Sequence, residues 1–198
     1  MFVKDLLSNQ KLDFQESRIR ILLMKNQVYK PKIGKRVFIH PSAVVEGKVK
    51  IGDYSSIWPN CVLRGDINSI TIGKRTNIQD LSVIHIETNR GVKIADDVTV
   101  GHQVTLHACT IKRYALIGIQ AIVLDGAVVG ECCLVGAGTL VTHGQKLKPY
   151  SLYLGKPAKL IRPLKKEEIQ RLKTWGKRYM KYAANYMTGM YLPHDAAK

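Results

Sequence analysis

Three histidines, His85, His102 and His107, fall within the stretch from Asn77 to Cys109, and they are the side chains best equipped for chemistry. Neutral imidazole binds Zn²⁺ well, and Fe²⁺ or Co²⁺ also suit it; a catalytic centre needs three protein ligands and one open position. Arg64, Asp66, Gln79 and Asp80 lie nearby in sequence and supply charge and hydrogen bonding. The remaining histidines, His40, His143 and His194, stand apart and read as polar turn residues. Convergence of the first three depends on what positions them.

From Ile33 an aliphatic residue recurs every six positions. Ile33, Ile39 and Val45 form one triplet; Ile51, Ile57 and Leu63 the next; then Ile72, Ile78, Ile84 and Ile94, Val100, Leu106. Ile111, Ile117, Val123 and Val129, Val135, Val141 close the series. The steps break only between triplets: nine residues from Leu63 to Ile72, ten from Ile84 to Ile94, five from Leu106 to Ile111. A helix needs apolar steps of three and four, and a plain sheet needs two. Steps of six in threes predict an all-β solenoid of about six triangular coils, each side a short strand and a turn. Val37, Ser55, Thr76, Val98, Ala115 and Cys133, four places after an aliphatic residue, are expected at a second, smaller inward position. Glycines that follow it, such as Gly52, Gly73 and Gly118, are expected to supply corner φ values and close approaches.

Registering the polar residues on these coils sorts them into columns. Arg64, His85 and His107 each follow the aliphatic residue of a third side, in consecutive coils, and should stack along one edge. Asp80 and His102 share another column, each two places after the second side's aliphatic residue, with Gln79 beside Asp80. His85 and His107 can therefore meet on one ion. His102 precedes the corner and faces another side, so it is expected to complete a site on a neighbouring subunit, which a cyclic homotrimer would repeat three times.

After Val141 the period stops, and Pro149, Gly155, Pro157 and Pro163 mark a connection. From Leu164 an amphipathic helix is predicted, with Ile169, Leu172, Trp175, Tyr179, Ala183 and Tyr186 on one stripe against the prism. The chain thus divides into an N-terminal extension and lead-in strand (1–32), the repeat domain (33–146), a connector (147–163), and the helix and tail (164–198). Residues 1–23 fit nothing downstream and read as a loose extension or the product of an upstream start codon.

The net charge of +16 would suggest nucleic acid if it were central. Between Val37 and His143, however, nine basic and nine acidic residues balance, so the flanks carry the whole excess. No nucleic-acid signature accompanies them, and none is expected as a partner. There is no long apolar span and no secretory leader pattern, so a cytoplasmic protein is expected. Cys61, Cys109, Cys132 and Cys133 lack disulfide or C-x-x-C spacing and are expected as reduced, mostly buried thiols.

The [Ile/Leu/Val]-Gly-x-x-small-x repeat resembles the hexapeptide-repeat proteins, which implies a left-handed parallel β-helix. More specifically, LRGDIN (Leu63–Asn68), NIQD (Asn77–Asp80), His85, VGHQVTLHAC (Val100–Cys109) and LGKPAK (Leu154–Lys159) look like the γ-class carbonic anhydrases and their relatives. The resemblance implies a homotrimer with His85 and His107 from one subunit and His102 from the next. It also implies ion pairs of Arg64 and Asp66 near the interface, and Gln79 and Asp80 bonded to the metal-bound solvent and its surroundings. The implied activity is reversible hydration of CO₂ to bicarbonate by hydroxide on zinc, with Gln79 orienting it. The chain departs from the best-known active members in one respect. Ile67 rather than an acid follows Asp66, and the segment Ile86–Lys93 is short with Glu87 its one carboxylate, so the acidic proton-shuttling loop is missing. Three alternatives stand beside hydration: a hexapeptide-repeat acyltransferase using one histidine as base, a metal-dependent thioesterase on acyl-coenzyme A, and a trimeric scaffold merely fastened by metal.

Overall fold

The structure, a computed structural model, describes residues 28–191. The readings made for residues 1–23 and for His194 fall outside the described residues. The chain winds as a parallel β-helix of about seven turns, and its three sides follow the three hexads of each triplet. On the first side Ile33, Ile51, Ile72, Ile94, Ile111 and Val129 lie in register. On the second, Ile39, Ile57, Ile78, Val100, Ile117 and Val135 do so. On the third, Val45, Leu63, Ile84, Leu106, Val123 and Val141 complete the prism.

Most of these aliphatic side chains are fully buried in one continuous core. Each contributes about 1.5–3 kcal/mol of burial, which makes the repeat its own stabilising unit. The second inward column is buried from Ser55 on, with Val37 at its open end partly buried. Where it is polar, the neighbouring coil's backbone satisfies it: Ser55 donates to the Gly73 carbonyl at 2.7 Å and Thr76 to that of Ala95 at 2.8 Å. Thr139 differs, because its buried hydroxyl has no partner among the described residues. Ala121 and Val104 fill the equivalent place one and two coils below, respectively. Thr139→Val is therefore expected to stabilise the fold by about 1 kcal/mol, read as a raised urea midpoint at unchanged m-value.

The glycines after the aliphatic residues serve close approach rather than left-handed turns. A Cβ at Gly52 would stand 2.6 Å from the Gly73 carbonyl carbon, and one at Gly118 2.6 Å from the Ala137 amide. Among the described residues positive φ falls instead on other glycines, such as Gly47, Gly126, Gly138 and Gly144, and on twelve non-glycine residues. Arg36, Tyr54, Arg75, Asp97, Tyr114, Cys132 and Tyr150, one per coil at the corner between the first and second sides, have φ between 48° and 61°. From Tyr54 on, each donates its backbone N–H to the coil before it, which holds it in a region that side chains normally avoid.

At that corner Asp97, 7% exposed, accepts from Arg75 at 2.6 and 2.8 Å and from Arg113 at 2.9 Å. Burial opposes ionisation of Asp97, but the two guanidiniums outweigh it and hold its carboxyl below the usual range. A folded-state pKa below the unfolded one stabilises above the unfolded value, about 3.9. That stabilisation is lost as the pH falls through the folded value. Asp97→Asn should cost about 2–4 kcal/mol at pH 7. Urea melts should show the gap to wild type closing as the pH falls below the unfolded value of about 3.9 and through the lower folded one.

The ladder runs past Val141. Lys146–Leu147 pairs with Val128–Val129, and Ser151–Leu154 pairs with Leu134–Val135, so Leu147 and Tyr153 continue the first and second sides. Tyr153 hides the continuation in sequence because it is not aliphatic. The same strand turns back antiparallel against Lys159–Pro163, which covers the open end of the second side.

The single described helix, α1 (Lys166–Met187), lies along the second side. Arg162 clamps Glu168 in its first turn with bonds of 2.8 and 2.9 Å. Leu172, Gly176 and Ala183 are buried, and Tyr179 and Tyr186 close on Phe38 and Trp58. No helix among the described residues is long and apolar enough to cross a membrane.

Candidate metal centre

All three breaks in the six-residue step, at Leu63–Ile72, Ile84–Ile94 and Leu106–Ile111, fall at the corner between the third side and the first. That is the corner where Arg64, His85 and His107 stand. Extra residues bulge there as 64–69 and as the short turn closed by a bridge between Glu87 and Arg90, which frees this edge from the strict hexad.

His85 and His107 are direct neighbours in the parallel ladder. Nδ1 of His85 lies 3.2 Å from Nε2 of His107, with ring centroids 5.3 Å apart. Two nitrogens bound tetrahedrally at the usual zinc distance of about 2.0–2.1 Å stand roughly 3.3 Å apart, so this pair fits an ion. The far nitrogen of each ring meets a carboxylate: Asp66 lies 3.2 Å from Nε2 of His85, and Asp125 bonds Nδ1 of His107. Arg64 in turn bonds Asp66. Burial works against ionisation of Asp66, but the Ile67 amide, Arg64 and His85 together keep its carboxyl below the ordinary range.

His102 stands at the opposite edge of the third side. Its Nδ1 bonds Asp80 at 2.8 Å, and its Nε2 has no hydrogen-bond partner among the described residues. All three histidines therefore carry a carboxylate on one nitrogen; the other nitrogens of His85 and His107 face each other, and that of His102 is left without a hydrogen-bond partner among the described residues. A carboxylate behind an imidazole fixes its orientation and raises its basicity toward a metal. Within one chain, among the described residues, no three such groups are placed to hold an ion.

Between the two edges the third side is a column of outward Val44, Val62, Val83, Thr105, Ile122 and Leu140. Val44 and Val83 are exposed, as are Leu81 and Ile119 along the His102 edge. This face carries one histidine at one margin and two at the other.

The sequence-predicted residues thus separate into two groups. Arg64, Asp66, His85 and His107 come together on one edge, and Asp80 and His102 on the other. Gln79 lies beside the second group, buried, its side-chain amide donating from Nε2 to Asn77 at 3.0 Å while its side-chain oxygen Oε1 accepts no bond among the described residues. Asp125 was missed, although it stands eighteen residues, one regular coil, beyond His107. Also missed was a cavity of about 310 Å³, where Trp58, Tyr179, Tyr182, Tyr186 and Tyr191 form walls beside Asp80 and His102. No spacing rule reveals it, because α1 builds it by docking. The cysteines are buried and free, and burial pushes the Cys61 thiol up to about 11 and those of Cys109 and Cys133 up to about 12.

Comparison with known proteins agrees with this construction. Residues 30–65 match the family model for bacterial transferase hexapeptide repeats. The chain is 42% identical over 156 residues to a carbonic anhydrase of Geobacillus kaustophilus, covering 79% of this chain and 86% of that protein. It is 43% identical over 159 residues to the mitochondrial gamma carbonic anhydrase 2 of Arabidopsis thaliana, covering 77% of this chain and 57% of that longer protein. Among solved structures, a Bacillus cereus protein described provisionally as an acetyltransferase superposes with a TM-score of 0.79 at 43% identity, covering 81% of this chain and 93% of that one. With these identities, coverages and a shared solenoid, the chain belongs to the γ-class carbonic anhydrase-like proteins of the hexapeptide-repeat family.

Proposed function

We propose that this chain is a metal-dependent hydratase of CO₂, assembled as a cyclic trimer through its third side. The observation that carries the reading is the matched set of three carboxylate-backed imidazoles, two at one margin of an exposed apolar face and one at the other. A face of that kind cannot complete a site by itself. Packed head to tail around a threefold axis, it sets the His102 margin of one copy against the His85–His107 margin of the next.

His85, His107 and the neighbouring copy's equivalent of His102 would hold zinc, with Fe²⁺ or Co²⁺ as other occupants their nitrogens suit. When bound, zinc supplies Lewis acidity and makes a water nucleophile available at neutral pH. The chain's own groups do the rest. Asp66, Asp125 and Asp80 fix the three rings, and Arg64 holds Asp66 ionised in place. Gln79 keeps its amide on Asn77 and offers its carbonyl oxygen to orient the attacking water. Because Glu87 is the one carboxylate of the short turn, protons must leave chiefly to external buffer, and turnover should rise with buffer concentration. The test pairs metal content with CO₂ hydration before and after chelation. About one zinc per chain and activity that returns with added zinc are expected, whereas full activity without metal would refute the reading.

One observation favours a second reading. The cavity of about 310 Å³ beside His102 is far larger than CO₂ requires and suits the acyl part of an ester or thioester. Chelator-sensitive hydrolysis of an acyl-coenzyme A, weakened by Tyr182→Ala without loss of CO₂ hydration, would favour it.

A further inference from the structure

The first side of the prism has a use that neither the site nor the helix explains. Its outward column, read through the strand register, is Lys32, Lys50, Thr71, Lys93, Thr110, Val128 and Lys146. It holds four lysines and no acid. All four lysines are exposed, and none forms an ion pair among the described residues. Lys48 and Lys112 flank the column. At about 4.8 Å per coil it extends roughly 29 Å along a parallel sheet.

The acids on its two rims are mostly engaged elsewhere. Asp53 pairs with Lys74 at 3.2 Å and Asp96 with Arg75 at 3.6 Å, while Glu131 accepts from the Tyr150 hydroxyl. On the other rim Asp66 is held by Arg64 and His85, and Asp125 by His107. The positive potential of the column is thus left for a partner. With α1 on the second side and the third side suited to packing copies together, the first side is the one left to face outward.

We propose that this lysine face docks on an anionic phospholipid surface. Charge complementarity names an anionic partner, and the details of the face favour a lipid bilayer over nucleic acid. The column holds no arginine, the residue suited to bidentate phosphate contacts, and no aromatic ring on which a base could stack. A shallow depression of about 240 Å³ lies at mid-column between Thr71, Lys93, Thr110 and Lys112, and Thr71, Thr110 and Val128 are short enough to let the lysines reach a plane together. Lysines near an anionic leaflet add their attractions, and salt screens them.

The experiment is co-sedimentation of the full chain, zinc-loaded, with phosphatidylcholine vesicles and with vesicles containing about 30% phosphatidylglycerol. Expected is partition at least about tenfold stronger on the anionic vesicles, abolished near 0.5 M salt. Combined Lys32→Gln, Lys50→Gln, Lys93→Gln and Lys146→Gln should remove that preference. An equal loss of charge on the connector and helix, through Lys159→Gln, Lys166→Gln, Lys177→Gln and Lys181→Gln, should leave it within about twofold of wild type. If the fourfold face variant fails to fold, Lys93→Glu at mid-column should still weaken binding severalfold. Equal effects of the two fourfold variants, no anionic preference in wild type, or displacement from vesicles by an oligonucleotide of matched charge would each overturn the proposal.

Discussion

His107→Ala should strip the protein of its metal while leaving the trimer and the solenoid standing. The ring lies on the prism's outer edge, half-buried, so its removal opens no core cavity. What is lost is one of two nitrogens set 3.2 Å apart, together with the purpose of Asp125 behind it. Zinc content should fall from about one per chain to under a tenth, and CO₂ hydration by about a thousandfold or more, since the metal supplies the nucleophile. Size-exclusion mass and far-ultraviolet dichroism should be unchanged. Asp125→Asn should fall between, with metal affinity weakened about 10–100-fold.

The second large effect is expected from Ile122→Glu. Ile122 projects from the middle of the apolar column, between Thr105 and Leu140, and is half-buried in the isolated chain. A glutamate there costs little in a monomer, where water reaches it. In the cyclic assembly it would bury an unpaired carboxylate at every interface, a cost of about 3–5 kcal/mol each. The variant should run as a folded monomer and lose its metal with every histidine intact, because His102 no longer meets the other two. Sedimentation velocity and metal content read both outcomes, and a monomer that kept stoichiometric zinc would argue that one chain completes the site.

Much of this was legible because a solenoid converts sequence spacing into spatial columns. Steps of six gave the three sides, and counting from each aliphatic residue placed His85 beside His107 and His102 above Asp80. The same counting reaches Asp125 once the coil above His107 is included, but an aspartate before glycine reads as an ordinary turn. The roles of the glycines were half legible: close approach follows from the pattern, whereas left-handed φ fell on Tyr54, Tyr114 and Cys132, where inter-coil hydrogen bonds and not residue type decide. The end of the repeat was misplaced because Tyr153 fills an aliphatic slot. The aromatic cavity was illegible in principle. A stripe of Trp and Tyr shows that α1 packs, but not that Tyr179, Tyr182 and Tyr186 leave space beside His102.

The central claim is that each metal site is shared by two copies, and mixed trimers test it most directly. His102→Ala and His107→Ala chains, each inactive alone, are co-expressed in equal amounts and purified together through different tags. In a site shared between neighbours, every trimer that carries both tags has a complete set of three imidazoles at one of its interfaces, about a third of the sites. Zinc and CO₂ hydration should return to about that fraction of wild type. Mixed trimers as empty and inactive as either parent would contradict the account.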